Sequence, residues 1–423
     1  MPHADHVRLS RLDNGIPVLS EETEASCSVT LGIWVRNGSR HEAASHGGIS
    51  HFLEHLLFKG TTRRSAREIA QAVEDVGGVL NAFTGKENTC FYVKVLPEHV
   101  DVALDVLGDI FLHSTMPDEE IERERTVIVQ EVLAEEETPD EHVHDLFVAN
   151  FWGEHPLAKP IAGTADSVSA LTRADLVAFR DARYCPERVL IAAAGPVAHE
   201  AVIAGLADTL GTLDGPAGVD TLEPPQPRGG VAVADRDLEQ AHLCLGVPGI
   251  RAADDDRFAV YLLNLALGGG MSSRLFQEVR EERGRAYSVY SYLSSFADGG
   301  YLGVYVGTSP EWVAEVIDVT RGVFRDVLRN GLRRDEIDRA KSQMKAGLLL
   351  GLDSTDNRMS RIARSMLTIG HVPTITEVCG AIDAVSADDI VRVAARIIGT
   401  DVLGITVLGR VQQDRLRAEV ESA

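Results

Sequence analysis

The period of hydrophobic and polar positions changes several times along the chain, and each change marks an element. Val7 to Ser20 alternates and turns at Asp13-Asn-Gly15, the pattern of a β-hairpin. Val29 to Val35 reads as a strand closed by Asn37-Gly38. The run Gly47-Gly-Ile-Ser-His-Phe-Leu-Glu-His-Leu-Leu-Phe-Lys-Gly60 is apolar on most sides, which predicts a buried helix. Ser65 to Val76 is amphipathic and stops at Gly77-Gly78. Asn81 to Val95 reads as strand, turn, strand, and Pro97 to Leu112 as a helix. Pro117-Asp-Glu-Glu opens a further helix, with proline and acids in its first turn. That helix runs to Glu137, where Pro139 forces a break or kink. Helices follow to Trp152 and from Arg173 to Tyr184, then a β run from Arg188 to Ala194.

Between Gly211 and Gly230 the composition turns to proline and glycine, the mark of an interdomain linker. Domains at 1–212 and 231–423, joined by 213–230, are the resulting expectation. Past the linker the order of elements repeats: a strand from His242 to Val247, a helix from Asp256 to Leu267, then helices over Pro310 to Asn330 and Arg334 to Leu352. Placing Gly60 on Gly270 sets Phe52-Leu53 on Leu262-Leu263, and puts Tyr261, Asn264 and Leu265 where the first half has His51, Glu54 and His55. Placing Glu120-Ile-Glu-Arg123 on Glu336-Ile-Asp-Arg339 sets Glu124 on Ala340 and Glu131 on Gly347. The second half keeps the hydrophobic pattern and lacks every polar group that stands out in the first.

At 423 residues the chain is too long for one ordinary core, in keeping with two domains of roughly 200 residues. The net charge of −23 argues against nucleic acid as a partner. It suits cationic ligands and, more commonly, simple solubility. Five scattered cysteines without a C-x-x-C pair fit free thiols in a reducing compartment and offer no thiolate zinc site. The first residues carry no apolar signal segment, and no apolar run approaches the roughly 20 residues of a membrane span. A cytoplasmic enzyme, without membrane or nucleic-acid partners, is the simplest expectation.

The candidate chemistry lies in His51-Phe-Leu-Glu54-His55. On a helix, His51 and His55 project side by side one turn apart, with Glu54 at the edge of the same stripe. Two imidazoles so placed can share a metal ion, and the adjacent carboxylate can reach a water on it. A lone histidine on an apolar helix is ordinarily a hydrogen-bonded core residue. Three titratable groups on one buried helix need something more to satisfy them. This H-x-x-E-H spacing is the inverted form of a zinc-peptidase motif. A hydrolytic zinc site wants three protein ligands and one open position. No third histidine follows closely, so a carboxylate from another helix is the natural candidate. In the glutamate-rich helix after Pro117 the first turns look solvated, as do Glu135 and Glu136 at its end. Thr126 to Ala134 is apolar on almost every side with Glu131 in its middle, and a buried carboxylate there calls for a cation. Glu124 lies two turns earlier on the same face, placed to hydrogen-bond a ligand from behind. The residues rank Glu131 first and Glu124 next.

These motifs resemble the pitrilysin/insulysin class of inverted-motif zinc peptidases, above all the short processing-peptidase branch around the mitochondrial processing peptidase β-subunit. His46 to Thr61 is similar to that branch's signature. Val127-Ile-Val-Gln-Glu131-Val is similar to the segment holding its third ligand, 76 positions beyond His55 here. The resemblance implies one Zn²⁺ per chain on His51, His55 and Glu131, with Glu54 as general base. It implies that Asn81-Ala82-Phe83-Thr84 is the strand against which an unfolded peptide substrate pairs. Arg280 and Tyr287, seven apart in a segment similar to the family's C-terminal one, would contact that substrate or a developing oxyanion. The implied fold is α+β: two duplicated α/β sandwich domains, each a mixed β-sheet with helices mainly on one face. Longer relatives of the family carry four such units around a chamber. A two-unit chain is therefore expected to pair as a homodimer or with an inactive homologous subunit. The rival expectation is a non-catalytic partner or scaffold subunit, against which all four motif positions stand intact.

Overall fold

The computed structural model describes residues 7–422 apart from 217, 219 and 221. The start of the chain, read above for the lack of a signal segment, and three positions of the expected linker lie outside the described residues.

The chain folds into two compact units. The first takes the sequence up to Ala134 together with Lys159–Leu222 and Leu349–Ile375; the second takes Glu135–Ala158, Glu223–Leu348 and the chain from Thr376 onward. The change between Leu222 and Glu223 falls inside the expected linker. A simple division into 1–212 and 231–423 is nevertheless corrected, because each unit draws one helical segment from the opposite half of the sequence.

The first unit is built on a mixed sheet of β1 (Val7–Arg11), β2 (Pro17–Glu22), β3 (Val29–Val35), β4 (Val79–Thr84), β5 (Thr89–Val95) and β6 (Val189–Gly195), in the order β1-β2-β6-β3-β5-β4. Only the β2–β6 pair is parallel; the rest are antiparallel. One face packs against α1 (Ile49–Leu56), α2 (Ala66–Glu74), α3 (Val100–His113) and α4 (Asp118–Glu136) in a core that includes Leu31, Ile33, Phe52, Leu53 and Ile128. The opposite face is covered by the helix Thr355–Ile369. The cause can be read in β3 and β6, whose residues are all buried: strands covered on both faces run apolar without alternation. Gly32 and the alanines of β6 let that helix approach, since a Cβ at Gly32 would stand 2.8 Å from the Met359 sulfur.

The second unit repeats the plan on β7 (Gly230–Ala234), β8 (Ala241–Pro248), β9 (Ser288–Ser295), β10 (Gly300–Thr308) and β11 (Gly404–Leu408), ordered β7-β11-β8-β10-β9. Helices Arg257–Gly268, Val313–Asn330 and Ala387–Ile397 fill one face. On the other lies α5 (Pro139–Trp152), whose Phe147 ring would collide with any side chain at Gly246. In both units an α+β sandwich thus carries most of its helices on one face, as the sequence leads one to expect. No helix among the described residues is long and apolar enough to cross a membrane.

Candidate metal centre

The site is assembled in the first unit. Gly48 caps α1 in the left-handed region, φ +89°, where a side chain would strike the Ala162 carbonyl. Ile49, Phe52, Leu53 and Leu56 fix the helix in the core, each out of solvent. Its remaining face carries His51, Glu54 and His55. The two imidazoles lie edge to face with centroids 4.7 Å apart. Glu131 comes from α4, and its Oε2 is 3.9 Å from His51 Nε2 and 3.6 Å from His55 Nε2.

These spacings are too long for hydrogen bonds. Ligand atoms held at about 2.1 Å by a tetrahedral ion stand about 3.4 Å from one another, and the two glutamate–imidazole spacings lie a little above that value. His51, His55 and Glu131 each offer a ligand atom within 4.8 Å of the other two, the only such group of three or more among the described residues. Burial, and then the neighbouring His55, hold the His51 imidazole down at about 4, so near neutral pH its lone pair is free. The donor set and its spacing fit a divalent zinc-like ion.

The elements behind the imidazoles matter as much. Glu124, 6% exposed, has its Oε2 3.0 Å from His55 Nδ1 and its Oε1 2.7 Å from Lys59 Nζ. With Glu124 accepting from the His55 Nδ1–H, the Nε2 lone pair turns towards Glu131. Lys59, in the turn just past the end of α1, was not singled out from the sequence. Also missed was Glu42, which accepts the Gly48 and Ser50 N–H groups at the start of α1. Glu131 itself lies where a ligand is needed, but the expected burial is corrected. Its side chain is 46% exposed, and its neighbours Val127 and Leu133 are exposed as well. Apolar composition in that stretch of α4 does not mean a closed environment.

Glu54 faces the same region. Burial pushes its carboxyl above the usual range, with Glu131 adding to the effect and the Thr84 hydroxyl and His55 opposing it. One of its oxygens is buried without a hydrogen-bond partner among the described residues. Thr84 ends β4, the terminal strand of its sheet, which packs against α1 and whose outer edge pairs with no strand among the described residues. Along that strand Ala82 joins the core that holds α1, while Phe83 turns to the other face against the Trp34 ring at 5.3 Å. Asn81 accepts the Ala82 N–H at 2.8 Å. The structure thus brings together His51, Glu54, His55, Glu124, Glu131 and the strand 81–84. Arg280 and Tyr287 belong to the second unit. Arg280 lies over the Phe276 ring at 4.8 Å on a π-helical turn, and Tyr287, just before β9, is 81% exposed.

Comparison with known proteins bears on the whole chain. Residues 17–165 match the insulinase (peptidase family M16) profile, and residues 170–344 match the peptidase M16 inactive domain. The chain belongs to the M16 peptidase family. The insulinase match contains the whole His51–His55–Glu131 group, and the inactive-domain match contains Tyr261, Asn264 and Leu265, which the sequence repeat sets opposite His51, Glu54 and His55. Among M16 relatives, an uncharacterized zinc protease of Streptomyces coelicolor is 42% identical over 405 residues, 93% of this chain and 87% of that one. One from Mycobacterium tuberculosis is 41% identical over 426 residues, 98% of this chain and 96% of the relative. The uncharacterized zinc protease YmxG of Bacillus subtilis is 39% identical over 388 residues, with 92% and 95% covered. Two solved structures share the fold with a TM-score of 0.89 at 22% identity. They are a peptidase M16 inactive domain from Pseudomonas fluorescens, aligned over 96% of this chain and 98% of that one, and a protease from Helicobacter pylori, aligned over 96% and 99%.

Proposed function

We propose that this M16 chain is a zinc-dependent endopeptidase that holds one zinc on His51, His55 and Glu131 and hydrolyses unfolded peptides. The observation that carries the reading is the convergence of those three side chains beside Glu54 and the terminal strand β4. Zinc bound there supplies a Lewis acid that brings the pKa of water towards about 7 and polarises a carbonyl. Glu54, its carboxyl raised by burial, takes the proton of the attacking water and returns it to the leaving amine. The backbone edge of β4 at Asn81, Ala82, Phe83 and Thr84 binds an extended substrate by main-chain hydrogen bonds, which gives little preference for sequence. Arg280 and Tyr287 carry donors suited to a substrate carbonyl or oxyanion. Free thiols at Cys27, Cys90, Cys185, Cys244 and Cys379 suit a reducing, cytoplasmic setting.

The test is cleavage of an unstructured peptide library by the purified protein with and without a chelator. Cleavage that stops on chelation and returns with added zinc is expected. Cleavage that continues unchanged in metal-free protein would contradict the reading.

A further inference from the structure

The two imidazoles are oriented by different means. His55 has Glu124 behind its Nδ1 at 3.0 Å. His51 has no counterpart, since its Nδ1 is buried and makes no hydrogen bond to a described residue. A metal-binding histidine ordinarily relies on such a partner to fix its ring. Without such a partner, His51 depends on its ring contact with His55 and on the backbone that bears it.

That backbone is the first turn of α1. Its cap is a glycine, which has no side chain to satisfy the free N–H groups of the helix start. The acceptor comes instead from Glu42, six residues before Gly48 and 5% exposed. One carboxylate oxygen accepts Gly48 N–H at 2.8 Å and the other accepts Ser50 N–H at 2.9 Å. A carboxylate at this point is also favoured by the positive end of the helix. The same turn is tied by Ser167 Oγ–H to the Gly47 carbonyl at 2.8 Å, and by Asn37 Nδ2–H to Ser50 Oγ at 3.3 Å. His51 is the next residue along.

We propose that Glu42 is the positioning residue for His51: by holding the first turn of α1 with both oxygens, it does for that imidazole what Glu124 does for His55. The inference rests on the zinc reading above and adds to it a residue that touches neither metal nor substrate. Loss of Glu42 lets the first turn fray, and His51 leaves its place before the rest of the fold gives way.

The experiment measures zinc Kd by competition with a chromophoric chelator at pH 8, on the full chain, for wild type, Glu42→Ala, Glu42→Gln and Val202→Ala. Val202, fully buried in the same core on the helix His199–Ala207, controls for lost stability alone. Glu42→Ala is expected to weaken zinc binding about tenfold or more. Glu42→Gln should shift it in the same direction, because an amide sets a donor against one of the two N–H groups, and it decides the matter if the alanine variant does not fold. Val202→Ala should leave the affinity unchanged. Wild-type affinity in both Glu42 variants, or equal weakening in Val202→Ala, overturns the positioning role alone. A wild type that takes up no zinc overturns the metal reading, and this inference with it.

Discussion

At the residue scale, the segment before α1 also holds a half-buried ionisable group, His41. Burial, aided by Arg183 and Arg40 against the pull of Asp220, holds its imidazole down at about 4, below the ordinary value of 6.5. Between those two values the unfolded chain takes up a proton that the folded chain refuses. Stability from the neutral His41 is therefore present above pH 6.5 and is lost as the pH falls towards 4. Relative to His41→Asn, the wild type is expected to weaken on acidification across that window and to run parallel above it, as read by urea unfolding. Parallel curves throughout would remove His41 from the account. Residues also show where sequence reasoning succeeds and stops. His51, Glu54 and His55 were legible because a fixed helical period places them. Glu131 was reached through an expected burial that its 46% exposure does not support. Glu42 and Lys59 escaped notice because a lone charged residue carries no periodicity of its own.

At the scale of elements, the exchanged helices were the least legible part of the fold. The helix Thr355–Ile369 follows the second-half pattern in sequence yet covers the sheet of the first unit. Local propensity gives a helix its existence and its apolar stripe, but the sheet it covers is decided by packing between distant segments. A clue was present in β3 and β6, whose unbroken apolar runs and small residues call for a close layer on each face. Polar contacts then fix this helix in place. Glu21 of β2, 2% exposed, sits between the guanidiniums of Arg358 and Arg361, the latter at 3.1 Å. Thr30 Oγ1–H donates to Asp356 at 2.7 Å. Removing the Glu21 charge would leave two arginines, each nearly out of solvent, without their shared partner. Glu21→Gln is expected to cost about 3 kcal/mol in urea unfolding. An unchanged midpoint would mean that the helix is held by its apolar contacts alone.

At the scale of the whole molecule, the repeat glimpsed in the sequence becomes two sheets with a shared plan. Taken from β6 outward, the first sheet runs β6-β3-β5-β4, and taken from β11 the second runs β11-β8-β10-β9. Only the first carries a group of side chains that could hold a metal ion, among the described residues. If the proposed peptidase reading holds, a chain with one such unit and a companion without the metal group is expected to work in pairs that enclose unfolded peptide and exclude folded protein. We expect the purified chain, of 45.8 kDa, to show twice that mass by light scattering. A fully active monomer would contradict the dimer and leave the metal site untouched.

The central claim is that three side chains from α1 and α4 hold a zinc ion with which Glu54 works as general base. Its most direct test measures zinc content and peptide cleavage together, in wild type and in Glu54→Gln. The account predicts one zinc per chain in both, with cleavage lower by about 100-fold to 10,000-fold in the variant. A variant that keeps its zinc and cuts peptide as fast as the wild type would contradict it.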